Sequence, residues 1–118
     1  MPVEAFRFFI RSKIWIEDRQ GKAVFGPGRY RILEAVDRLH SLQAAAKELK
    51  MSYRAVWCRI RLSEERLGKP LITKEGRGSR LTPFAREIMT AFQTIQGQIR
   101  GESDTAFASF MLHLLKKK

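Results

Sequence analysis

With one cysteine in 118 residues, Cys58, the chain cannot close an internal disulfide or build a cysteine-rich zinc site. A reducing cytoplasm fits that usage. Histidine is almost as scarce: His40 and His113 lie far apart in the sequence, and no carboxylate pair or metal-ligand spacing accompanies them. Gly76, Arg77 and Gly78 lack the Gly-Lys-Ser/Thr ending of a phosphate-binding loop. No catalytic residue, metal or cofactor is therefore expected. Long apolar runs are missing too. The richest stretch, Phe6 to Ile16, is interrupted by Arg7, Arg11 and Lys13, so neither a signal-peptide core nor a membrane span is expected. There is no internal repeat.

Acidic residues are the other shortage. Twelve Asp and Glu face 23 Lys and Arg, a formal charge of +11, which calls for an anionic partner, nucleic acid foremost. A basic surface can also be merely solubilising, so the charge needs a motif beside it. The length allows one compact core that buries roughly two thirds of the unfolded surface.

The motif emerges along the chain. Phe6 to Glu17 is rich in Phe, Ile and Trp and alternates with charge from Arg11 onward, which predicts a strand. Asp18 to Gly21 supplies a turn and Ala23 to Phe25 a return strand, making an N-terminal β-hairpin. After Gly26, Pro27 and Gly28, the residues Ile32, Leu33, Val36 and Leu39 recur at helical spacing. Ser41 caps a short alanine-rich helix from Leu42 to about Leu49, and Ser52 caps a third from Tyr53 to Leu67 with Val56, Ile60 and Leu67 on one stripe. Gly68 and Pro70 end it. Leu71 to Leu81 reads as a hairpin with a Gly-rich basic tip, and Thr82-Pro83 opens a helix to about Ile99. Gly101 to Thr105 predicts a break, and Ala106 to Leu115 a short helix before Lys116, Lys117 and Lys118.

Two helices joined by a tight turn, a third helix and a basic hairpin form the plan of a winged helix-turn-helix. Ala44, Ala45 and Ala46 let the second helix approach the third, whose outer side can then enter a major groove about 12 Å wide. With Val56, Ile60 and Leu67 toward the core, Tyr53, Arg54, Trp57, Cys58 and Arg61 fall on or near the opposite face. Arg54 and Arg61 can anchor phosphates or read guanine, while Tyr53 and Trp57 either pack on sugar and thymine methyl or complete the core. In the hairpin, Lys74, Arg77 and Arg80 are either backbone contacts, helped by Gly76 and Gly78, or a solvated loop.

The stretch from Ser41 to Thr82, SLQAAAKELKMSYRAVWCRIRLSEERLGKPLITKEGRGSRLT, resembles the DNA-binding region of LysR-type regulators, with Leu-Gly-x-Pro-Leu after the helix-turn-helix and a wing closing on Leu-Thr. Lys13 to Leu33 and the Ser-Tyr-x-x-x-Trp of Ser52 to Trp57 are similar to the N-terminal domain of ModE-type molybdate-responsive regulators. The resemblance covers roughly Phe9 to Ile99. It implies a homodimer in which the opening strand (Phe9, Ile14, Ile16) and the long helix (Phe84, Ile88, Phe92, Ile95) supply the contact, the alternative being that the helix stripe packs within its own chain. The family's oxyanion-binding region is not seen before the chain ends, so a molybdate or tungstate response by this chain alone is not expected. Ser63 stands on the core line where the family usually has Leu or Met, which predicts a slightly rotated third helix. His40 stands where Gly is common, which predicts an altered turn.

The expected fold is α+β, mostly α: a winged helix-turn-helix with an N-terminal hairpin and a long C-terminal dimerisation helix, over residues 1–100 (dimer helix 83–100), followed by a tail, 101–118. The expected function is a cytoplasmic, sequence-specific regulator that binds double-stranded DNA at a pseudo-palindromic operator as a homodimer. The expected DNA contacts are Ser41, Gln43, Ser52, Tyr53, Arg54, Trp57, Cys58, Arg61, Lys74, Arg77 and Arg80. The alternatives are a nonspecific architectural DNA-binding protein and a protein-interaction module whose unidentified partner meets Phe107, Phe110, Met111, Leu112, Leu114 and Leu115. No membrane partner is expected.

Overall fold

The computed structural model describes residues 7–116. The chain divides into two compact units, residues 14–91 and residues 92–118 together with 1–13. Phe6 of the expected opening strand, and Lys117 and Lys118 of the lysine run, lie outside the described residues.

The first unit begins with a hairpin of β1 (Ile16–Glu17) and β2 (Ala23–Phe25), antiparallel, with Ile16 opposite Phe25 and a bulge after it. The opening strand is thus much shorter than the expected run to Glu17 from Phe6. The reason is the return arm: only three residues precede the helix that starts at Pro27, so residues 8–15 have no strand to pair with. The turn is built by Asp18, whose Oδ1 accepts the N–H groups of Gln20 and Lys22, with Gly21 at φ +78°. The Lys22 and Gln20 amides hold the Asp18 carboxyl below its ordinary range.

Three helices follow: α1 (Pro27–Leu39), α2 (Leu42–Glu48) and α3 (Tyr53–Leu67). Pro27 sits in the first turn of α1, where its missing N–H costs nothing. The hydroxyls of Ser41 and Ser52 cap α2 and α3, each accepting a backbone N–H at 3.0 Å, from Ala44 and Ala55. Gly68 ends α3 in the left-handed conformation. His40 ends α1 at φ +55°, the conformation that glycine adopts without steric cost. Ile32, Leu33 and Val36 of α1 meet Ala45 and Ala46 of α2 and Val56 and Ile60 of α3 in one core, while Leu39 at the end of the α1 stripe is exposed. Arg38 of α1 pairs with Glu48 of α2, and the hydrogen bond from Arg38 holds the Glu48 carboxyl below its ordinary range.

Ser63 does not disturb the core line. It is fully buried, donates to the Val24 carbonyl at 2.7 Å and accepts from Arg29 Nε at 3.1 Å, while Leu62 beside it faces outward. Val56, Ile60 and Ser63 are all buried, so α3 keeps one continuous inner stripe. A hydroxyl at this position fastens β2 to α3 where an apolar side chain could only pack. Ser63→Ala should therefore lower stability by about 1–3 kcal/mol, because the Val24 carbonyl and the Arg29 guanidinium lose their partner. That corresponds to a fall in Tm of about 4–8 °C for each kcal/mol in a domain of this size, and a Tm equal to wild type would show that the bonds contribute nothing.

A second hairpin, β3 (Ile72–Glu75) and β4 (Gly78–Leu81), pairs Ile72 with Leu81 and Glu75 with Gly78. Buried Leu71 and Leu81 root it in the core. The Thr82 hydroxyl accepts the Ala85 N–H and opens α4 (Pro83–Lys116), whose Arg86 pairs with Asp37 of α1 at 2.7 Å.

The second unit holds residues 92–116 of α4, which runs unbroken where a break at Gly101 to Thr105 and a separate short helix were expected. Pro83 is the last proline, and an isolated glycine in a helix costs only about 1 kcal/mol. The Thr105 hydroxyl donates to the Gly101 carbonyl one turn back, as a threonine side chain inside a helix can. Within this unit Phe92 and Met111 are nearly buried, Phe107 stacks on Phe110, and Phe9 to Ser12 share a shallow cleft with Arg100, Ser103 and Asp104.

Candidate nucleic-acid interface

The first turns of α2 and α3 and the β3–β4 hairpin enclose an open cleft of about 490 Å³, lined by Ser41, Leu42, Gln43, Tyr53, Lys74 and residues 76–79. Five of the expected contact residues, Ser41, Gln43, Tyr53, Lys74 and Arg77, meet there although they come from three elements. Ser41 and Ser52 spend an oxygen lone pair on capping, and each hydroxyl proton remains able to donate.

Tyr53 and Trp57 do not complete the core. They are 50% and 45% exposed, on the outer side of α3 with Arg54, Cys58 and Arg61. Arg61 is restrained: its guanidinium lies 5.6 Å from the centre of the Trp57 ring and pairs with Glu64 at 3.5 Å. Arg54 is exposed and has no ion-pair partner among the described residues. Cys58 is a half-buried free thiol. In the hairpin, Arg80 pairs across the strands with Glu75 at 3.2 Å and does not line the cleft.

Two features that hold the hairpin in place were not found in the sequence. The Ser79 N–H donates to the His40 carbonyl at 2.9 Å, which fixes the hairpin to the corner between α1 and α2. Gly78 allows this approach, since a Cβ there would lie 2.4 Å from the same carbonyl oxygen. Glu64, with a side chain only 13% exposed, accepts the N–H groups of Leu71 and Ile72 at 2.8 and 3.3 Å and so pins the root of the hairpin to α3. No local pattern marks either contact. The sole available signal is that Glu64 sits beside the core stripe, where a carboxylate needs partners.

The expected dimer residues are distributed unevenly over one copy. Phe9, Ile16 and Ile95 are exposed, Ile14, Phe84 and Ile88 half-buried, and Phe92 already buried within its own chain. Lys69 Nζ lies 4.9 Å over the Phe84 ring. Phe110, Leu112, Leu114 and Leu115 are exposed on the last turns of α4. No helix among the described residues is long and apolar enough to cross a membrane.

Residues 28–86, which hold α1 to α3 and the hairpin, match the family of bacterial regulatory helix-turn-helix proteins of the lysR type. The chain belongs to the LysR family. Its β3–β4 hairpin is accordingly the wing of a LysR-type DNA-binding domain, and α2 and α3 form its helix-turn-helix. This LysR-family chain is 38% identical over 87 residues to the HTH-type transcriptional regulator TrpI of Pseudomonas aeruginosa, an alignment covering 70% of this chain and 30% of that protein. It is 28% identical over 105 residues to the molybdenum transport protein ModE of Azotobacter vinelandii, covering 85% of this chain and 38% of ModE. The chain thus spans about a third of the length of these relatives. The fold is shared with the CbnR DBD–DNA complex at a TM-score of 0.56 and 23% identity, over 70% of this chain and 94% of the other.

Proposed function

We propose that this LysR-family chain binds double-stranded operator DNA in the cytoplasm as a homodimer and regulates transcription from a pseudo-palindromic site. The observation that carries the reading is the cleft that gathers Ser41, Gln43, Tyr53, Lys74 and Arg77 beside the exposed outer face of α3. A helix about 10–12 Å across fits a major groove of about 12 Å, and a wing beside it meets the sugar-phosphate strand that borders the groove. Similarity to the CbnR DBD–DNA complex and to a named transcriptional regulator supports this mode. The exposed Phe9, Ile16 and Ile95 support a contact between copies, and a two-fold dimer would set its recognition helices about 34 Å apart.

Arg54 carries base reading in this proposal, because its guanidinium is exposed and uncompensated, whereas Arg61 is shared with Glu64 and Trp57. Selection of DNA from a random library by the purified protein should enrich a two-fold symmetric motif. Arg54→Ala should then weaken binding to that motif by about 1–3 kcal/mol and change binding to random DNA far less. Equal losses on both would remove Arg54 from base reading, and salt-sensitive binding with no enriched motif would favour an architectural protein.

A further inference from the structure

The wing accounts for one side of α3; the other side carries a second set of cations. At about 3.6 residues per turn, Arg59 and Arg66 share a strip that borders the buried stripe of α3 on the side of Ser63, and Tyr53 borders that stripe on the opposite edge, in the wing cleft. Arg29 reaches across from α1 to this strip, its Nε donating to Ser63 Oγ at 3.1 Å. Arg66 is held there too, donating to the Ala23 carbonyl of β2. Arg59 is exposed, while Arg29 and Arg66 are half-buried. None of the three has a carboxylate within ion-pair distance among the described residues, although Arg38, Arg61, Arg80 and Arg86 all do. Burial holds the Arg29 guanidinium below the ordinary arginine range, and the like charges of Arg59 and Arg66 add to the effect.

Crowding three cations without a counter-ion costs stability. A ligand with negative charge would relieve it. A helix that fills the major groove has a phosphate strand on each side, because the groove is scarcely wider than the helix. In the proposed binding mode the wing cleft faces one strand. We infer that Arg29, Arg59 and Arg66, assembled around Ser63, form a second phosphate-binding patch that grips the sugar-phosphate strand on the side of α3 away from the wing. This rests on the DNA-binding reading and adds to it a specific set of contacts. Phosphate contacts carry no sequence information; they fix the register of α3 in the groove. The hairpin of β1 and β2 supports the patch structurally, since Ala23 and Val24 hold Arg66 and Ser63 in position.

Arg59 tests the patch, because it is exposed and has no hydrogen bond among those found in the described residues, so Arg59→Ala should fold normally. On duplex DNA carrying the selected motif, the slope of log affinity against log salt should flatten by about one, and low-salt affinity should fall about tenfold. Phosphate-ethylation interference should lose its signal on one strand, at positions distinct from those lost in Arg77→Ala. Wild-type slope and interference in Arg59→Ala, with the wild-type protein binding normally, would overturn the patch alone, and is the result expected if these arginines served an acidic protein surface. Failure of the wild-type protein to bind any DNA would overturn the DNA-binding reading and the patch with it.

Discussion

Gly78→Ala is expected to detach the wing and leave the helices folded. The added Cβ would lie 2.4 Å from the His40 carbonyl oxygen, a backbone atom that cannot swing aside as a side chain would. Relief requires β4 to move away from the corner of α1 and α2, which breaks the hydrogen bond from Ser79 N–H to the same oxygen. Overpacking of this kind costs about 1–3 kcal/mol, and the lost bond adds about 1 kcal/mol. Lys74 and Arg77 would leave the cleft with the wing, so the salt slope of DNA binding should flatten by about two, close to one per phosphate contact. Gly28→Ala is the control. Nothing lies within 4 Å of a Cβ there, and alanine in the first turn of α1 should hold or slightly raise the Tm. Wild-type salt dependence in Gly78→Ala, with the Tm unchanged, would mean that the wing does not need the His40 contact.

Glu64→Ala should have a comparable effect from the other end of the wing. The carboxylate accepts both the Leu71 and Ile72 amides, at a side chain that is 13% exposed, so its removal leaves two wing-root donors without a partner. The cost is about 2–3 kcal/mol, a fall in Tm of about 10 °C or more. Glu64→Gln separates structure from charge. Its amide oxygen can still accept from the wing root, which should recover about half of the lost stability. The negative charge beside Arg61 is gone, so binding to any duplex should tighten and the salt slope should steepen by about one. Equal stability in all three proteins would dismiss Glu64 as the pin of the wing. An unchanged slope in Glu64→Gln would dismiss it as a brake on Arg61.

Much of this was legible locally. Ser41 and Ser52 cap helices because a hydroxyl just before an apolar-periodic run satisfies a free N–H whatever lies beyond. The Tyr53 to Leu67 helix, its Gly68 end and the β3–β4 wing follow from spacing and breakers alone. Strand and helix lengths at the ends were less legible. Residues 8–15 have strand composition and yet form no strand, because pairing is decided by the length of the partner. The cluster Gly101 to Thr105 has loop composition and yet lies inside α4, because propensity is a weak prior and no proline interrupts the helix there.

By itself the sequence determined the element order, the caps, the inner stripe of α3, the basic wing and the excess of positive charge, all of which depend on near neighbours or on sums. Tertiary structure decided which of those charges are available. Arg61 and Arg80 are paired, Arg54 is open, and Arg29, Arg59 and Arg66 are gathered without a carboxylate. It also turned Ser63 from a flaw in an apolar line into the fastening of a hairpin, and His40 from an unassigned turn residue into the wing's anchor. The roles of Ser63 and His40 depend on partners that are 34 or more residues away in the chain, and burial converts such a distant pairing into a requirement because a polar group taken out of water must find its partner inside the protein.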